Sequence, residues 1–123
     1  MNRYDQNVTA IDSETLEKWL GERAAGAREF VLVDVREPFE YETEHIVGVD
    51  LLLPSSRYGE WVQTLRERHG DRTVVLTCRT ANRTGQLQPL LQQAGFTDVV
   101  NHLGGILGYT GPKESGMQGA QNV

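Results

Sequence analysis

The sequence predicts an α/β fold: one domain with a mainly parallel, doubly wound sheet and helices on both faces. Two kinds of pattern alternate along the chain. Residues 30–35 and 74–76 are near-continuous apolar runs, as expected of strands buried on both faces of a parallel sheet. Between and beyond them, apolar residues recur on a helical period at Leu16, Trp19, Leu20 and Ala24, at Tyr58, Trp61, Val62 and Leu65, and at Leu87, Leu90, Leu91 and Ala94. Strand and helix in alternation imply crossover connections and a parallel sheet. A chain of 123 residues, 38% of them hydrophobic, supplies one such core and not two.

Residues 8–11 suit a short edge strand. Asp12 then stands where a helix N-cap is wanted, Glu14 falls in the favourable first turn, and Ala25-Gly26 ends the helix. Residues 30–35 are expected to form the central strand. Pro38 suits the first turn of a short helix running to Glu44. Residues 51–53 extend a strand that starts after His45, and Pro54 stops it. The helix from Tyr58 closes near Gly70; His69 in its last turn gains slightly from the helix dipole if charged and is assigned no chemistry. Pro89 should kink or loosen the helix that ends at Ala94. Residues 99–102 read as the last strand, closing on Gly104-Gly105, where the backbone turns tightly or passes close to a neighbour. Residues 1–110 are expected to form the domain, and 111–123, rich in Gly, Gln and Ser, a mobile tail.

The chemistry gathers at Cys78, the only cysteine, which directly follows a buried strand and precedes a helix. A strand-to-helix turn can curl its backbone N–H groups around one point, and the helix start adds unpaired donors and the positive dipole end. Residues 72–97 hold three arginines and no carboxylate in a chain of formal net charge -5. That field favours a thiolate, since a free thiol titrates near ~8.5 and such surroundings lower it by one to several units. Free cysteine is also a common apolar filler of cores, but packing does not call for Arg79 and Arg83 within five positions of it.

Composition restricts the setting. One cysteine forms no internal disulfide, so the fold is compatible with the cytoplasm. The first seven residues lack the apolar core of a signal peptide, and no stretch approaches a membrane span. A pI near 5.1 with no basic stripe speaks against nucleic acid as a partner. Neither clustered metal ligands nor a glycine-rich phosphate loop occurs, so no metal and no cofactor is expected.

Several segments together resemble a single rhodanese domain, the sulfurtransferase module that carries sulfur as a cysteine persulfide. They are Leu32-Val33-Asp34-Val35-Arg36-Glu37 with Glu40-Tyr41, His45-Ile46-Val47-Gly48-Val49 ending at Pro54, Cys78 to Arg83, Ala94-Gly95-Phe96 with Asp98-Val99, and Leu103-Gly104-Gly105-Ile106. They follow the family order from about residue 8 to about residue 109. The resemblance implies Cys78 as the catalytic nucleophile, with Arg79, Thr80, Ala81, Asn82, Arg83 and Thr84 binding the substrate. It also implies structural support from Asp34, Arg36 and His45. Two departures stand out: Val49 replaces the usual alanine, and Tyr109 is the nearest aromatic to the place where the family often has tryptophan.

The mechanism so implied is double displacement between a small anionic sulfur donor such as thiosulfate and an acceptor, either cyanide or a thiol, including that of a sulfur-relay protein. Two other readings compete with it. A persulfide carrier would accept and pass on sulfur without turnover. A rhodanese-like phosphatase or arsenate reductase would have one more residue in its loop, whereas here Arg83 is the fifth residue after Cys78.

Overall fold

A computed structural model describes residues 8–117 and 121–122. Five strands form one parallel sheet: β1 (Ala10–Ile11), β2 (Val31–Asp34), β4 (Leu51–Leu52), β5 (Thr73–Thr77) and β6 (Asp98–His102), in the order β1-β6-β5-β2-β4. Between β2 and β4 lies β3 (His45–Ile46), which belongs to a second, two-stranded sheet. The helices are α1 (Ser13–Ala24), α2 (Pro38–Thr43), α3 (Tyr58–His69), α4 (Asn82–Gln93) and α5 (Gly105–Gly108).

Strand alternation splits the core in two. Val31, Val33, Val74 and Leu76 point to one face, where they pack with Trp61 and Leu65 of α3 and Leu87 and Leu91 of α4. Leu32, Val75 and Val100 point to the other and meet Leu16 and Trp19 of α1, Tyr41 of α2 and Ile106 of α5. β2 and β5 are thus apolar at successive positions, which is why the runs at 30–35 and 74–76 are nearly continuous. The strand expected to be central is only next to the centre. β5 holds the middle position, because burial on both faces is common to every interior strand and does not rank them.

Asp12 caps α1 as expected, accepting from the Thr15 N–H at 2.8 Å. α4 runs unbroken through Pro89. Pro89, which has no N–H for the Gly85 carbonyl, and Gly85 itself are both exposed. His69 sits in the last turn of α3, but burial, then Arg72 and Arg68, push its pKa down, opposite to the cation that the dipole favours.

Beyond residue 110 the structure departs from a free tail. β7 (Lys113–Glu114) pairs antiparallel with β3, His45 opposite Glu114 and Ile46 opposite Lys113. The Gly116 N–H donates to the Glu42 carbonyl at 2.7 Å, and Gln121 bridges to Leu51 beside edge strand β4. Low apolar content predicts mobility, but edge strands offer backbone donors and acceptors that another backbone segment meets whatever its side chains. No helix among the described residues is long and apolar enough to cross a membrane.

Candidate active site

Cys78 leaves the carboxyl end of β5, the middle strand, where ligands of open α/β sheets are bound. The loop from Cys78 to Ala81 then folds back so that the Ala81 N–H donates to Cys78 Sγ at 3.1 Å. Ala81 adopts a left-handed conformation, φ 75°, the only positive φ of a non-glycine residue among those described. α4 starts at Asn82 with no side-chain cap, so its first N–H groups stay free to face the sulfur. The Thr84 hydroxyl lies 3.7 Å from Sγ.

Burial raises the Cys78 pKa. The backbone N–H and hydroxyl of Thr84, and the N–H groups of Thr80 and Arg83, lower it, and the net direction is down from the ordinary thiol value. Cys78 is only 1% exposed, so its donors face little competition from bulk water. The thiolate is therefore favoured mainly by backbone dipoles and one hydroxyl.

The arginines do less than their spacing suggests. Arg83 points its guanidinium at Glu40 of α2, with Nη1–Oε1 at 2.7 Å and Nη2–Oε2 at 2.9 Å. Hydrogen bonding from Arg83 holds the Glu40 carboxyl down at about 2. Arg79 is exposed and forms no ion pair among the described residues. The side chains of Thr80 and Asn82 are likewise turned to solvent. Cys78, Ala81 and Thr84 thus form the centre, Arg83 a flank, and Arg79, Thr80 and Asn82 the outer surface.

The loop is clamped from two sides. Ile106 and Leu107 of α5 donate their N–H groups to the carbonyls of Cys78 and Arg79, at 2.8 and 3.2 Å. Gly105 makes that approach feasible, because a Cβ there would lie 2.3 Å from the Arg79 oxygen. On the other side, buried Asp34 holds Arg36 through Nε at 3.0 Å and Nη2 at 2.8 Å, and Arg36 reaches the Glu44 carbonyl at the end of α2. α2 is the helix that carries Glu40, so Asp34 and Arg36 bear on the loop indirectly. His45 lies further off: its Nδ1 meets the Tyr41 carbonyl at 2.9 Å, its Nε2 meets Glu114 at 3.0 Å, and its ring stacks on Tyr41. Tyr109 is buried edge-on to His102 in the opposite core and does not line the loop.

Two residues of the site escape sequence reasoning. Glu40 falls within a segment quoted for the resemblance, yet nothing local marks it as the partner of Arg83. Asn101, at the end of β6, accepts from Thr84 at 2.6 Å, and its one local sign is a polar residue inside an apolar strand.

The Rhodanese-like domain profile matches residues 14–111. The chain belongs to the rhodanese-like domain family. It is 34% identical over 102 residues to the probable adenylyltransferase/sulfurtransferase MoeZ of Mycobacterium tuberculosis, covering 82% of this chain and 24% of that protein. To thiosulfate sulfurtransferase PspE of Escherichia coli it is 32% identical over 84 residues, covering 68% of this chain and 78% of that one. The crystal structure of a thiosulfate sulfurtransferase from Pseudomonas aeruginosa superposes with a TM-score of 0.73 at 22% identity, over 89% of this chain and 20% of that one. The rhodanese-like domain thus spans about a quarter of the mycobacterial relative and most of the Escherichia coli one.

Proposed function

We propose that this rhodanese domain transfers sulfane sulfur through a persulfide on Cys78. The observation that carries the reading is the ring of donors around one atom, from Thr80, Ala81, Arg83 and Thr84, closed on a buried sulfur of lowered pKa. In the first half-reaction the thiolate attacks the outer sulfur of thiosulfate. A new S–S bond forms, the old one breaks, and sulfite leaves with its electron pair. In the second, cyanide or a thiolate attacks that outer sulfur, and the Cys78 thiolate leaves with the bonding pair. The N–H groups stabilise negative charge on Cys78 at the start and end of the cycle, and on the persulfide between. The lowered thiol pKa favours the thiolate, so the chemistry calls for no dedicated general base.

The ion pair of Arg83 with Glu40 favours a second reading. With one guanidinium occupied, Arg79 is the only unpaired loop cation among the described residues for steering a small dianion. Such a site also suits sulfur delivered by a partner's persulfide, where the domain acts as a carrier. A cradle closed on one sulfur atom suits phosphate less well.

Thiosulfate or polysulfide should add one or more sulfur atoms to the protein by intact mass, removable by cyanide or dithiothreitol, and Cys78→Ser should add none. Loading of the serine variant overturns the assignment. Sustained turnover of thiosulfate with cyanide, against stoichiometric loading alone, separates enzyme from carrier. Turnover of an aryl phosphate comparable with sulfur transfer would overturn the choice of sulfur over phosphate.

A further inference from the structure

The Thr84 hydroxyl has one proton and three acceptors within reach: Asn101 Oδ1 at 2.6 Å, the Ala81 carbonyl at 3.1 Å and Cys78 Sγ at 3.7 Å. The shortest contact runs away from the sulfur. Asn101 is 7% exposed, and its backbone is fixed opposite Leu76 of β5, with its N–H donating to the Thr9 carbonyl at 2.9 Å. Its amide is therefore presented to Thr84 by a rigid strand and not by a loop.

We propose that Asn101 is a positioning residue for the chemistry of Cys78: its Oδ1 competes with the sulfur for the single Thr84 proton and so limits how far the hydroxyl stabilises the thiolate. The limit has a use. A thiolate with too low a pKa is less nucleophilic, so an acceptor that withholds one donor preserves attacking power, while the backbone N–H groups still favour the thiolate. When Cys78 departs as a thiolate in the second half-reaction, the same hydroxyl can turn to it. This inference rests on the persulfide reading only in taking the Cys78 thiolate as the reacting species.

Other charges near the sulfur come from different elements. α4 contributes Arg83, paired with Glu40 of α2; the loop contributes exposed Arg79; the end of β2 and the segment after it contribute the Asp34–Arg36 pair. α5 has no titratable side chain. On β6, Asp98 is held by Thr73 at the far end, and His102 meets Ser13 of α1 and the ring of Tyr109. Asn101 is thus the uncharged group through which that strand reaches the site.

The test is the pH dependence of iodoacetamide alkylation of Cys78, which reads thiol acidity without any sulfur donor. Thr84→Val should raise the apparent pKa, because a donor is lost. Asn101→Ala should lower it by about half a unit or more, because the freed hydroxyl turns to the sulfur. In the Thr84→Val background, Asn101→Ala should shift nothing. A rise in the single variant, which would mean that the amide donates to Thr84, overturns the proposal. So does an unchanged profile, or an equal shift in both backgrounds. Should Asn101→Ala fail to fold, Asn101→Leu removes the acceptor at similar volume and is read in the same way. If the protein takes up no sulfur, the persulfide reading fails while this measurement still stands.

Discussion

Arg83 grips Glu40 through both terminal nitrogens, at 2.7 and 2.9 Å, across the gap between α4 and α2. The loop's most conspicuous cation is therefore a fastening of the site before it is an anion receptor. Through α2 and the Arg36–Glu44 contact, the fastening continues to buried Asp34. A ladder of charge and hydrogen bonds thus fixes one side of the loop, and α5 fixes the other.

From this pair we expect the two arginines to behave differently. Arg79→Ala should raise the KM for thiosulfate roughly threefold to tenfold and leave thermal stability unchanged, as expected for one exposed charge of order 1 kcal/mol. Arg83→Ala should also lower stability by about 1 kcal/mol, the scale of a partly exposed ion pair. Glu40→Gln should lower the KM for thiosulfate, since it removes the carboxylate that occupies the Arg83 guanidinium. Steady-state kinetics and chemical denaturation distinguish these outcomes.

Ala81 holds a left-handed conformation that glycine adopts freely, and its N–H is the donor 3.1 Å from the sulfur. Ala81→Gly should stabilise the protein by about 0.5–1 kcal/mol, because relief of left-handed strain exceeds the added freedom of the unfolded chain. Urea denaturation reads this directly. A loss of stability would show that the alanine is not strained.

Gly105 has φ 59° and leaves no room for a Cβ against the Arg79 carbonyl. Gly105→Ala should cost about 2 kcal/mol or more and push the loop away from α5. Alkylation of Cys78 at neutral pH should slow as its donors lose alignment. Wild-type melting and labelling rates in the variant would contradict the clamp.

His102 is fully buried, with Nε2 at 2.8 Å from Ser13 Oγ and Nδ1 at 2.8 Å from Thr77 Oγ1. Burial pushes its pKa down to about 4 from 6.5. The neutral ring's contribution is complete above pH 6.5. As the pH falls from 6.5 to about 4 the unfolded chain takes up the proton first, and stability drops by up to about 3 kcal/mol. His102→Gln should flatten that interval. Glu40 acts in a lower window, because its pair is lost as pH falls from 4.5 to about 2.

The sequence alone determined the α/β class, the positions of the main helices and the place of Cys78 in its strand-to-helix turn. Each of these rests on local order: the two-residue and 3.6-residue periods, an N-cap at Asp12, and a cysteine directly after a buried strand. Tertiary structure decided that β5 and not β2 is central, that residues 113–114 pair with β3, that Arg83 belongs to Glu40, and that Thr84 belongs to Asn101. Those last two partners lie 43 and 17 positions away from their mates along the chain. Periodicity says which side of an element faces the core, but not which element lies across from it. That choice is made when the crossovers close and bring the carboxyl ends of β2, β5 and β6 to one edge, where Glu40 of α2 meets Arg83 and Asn101 of β6 meets Thr84 at the start of the helix that follows Cys78.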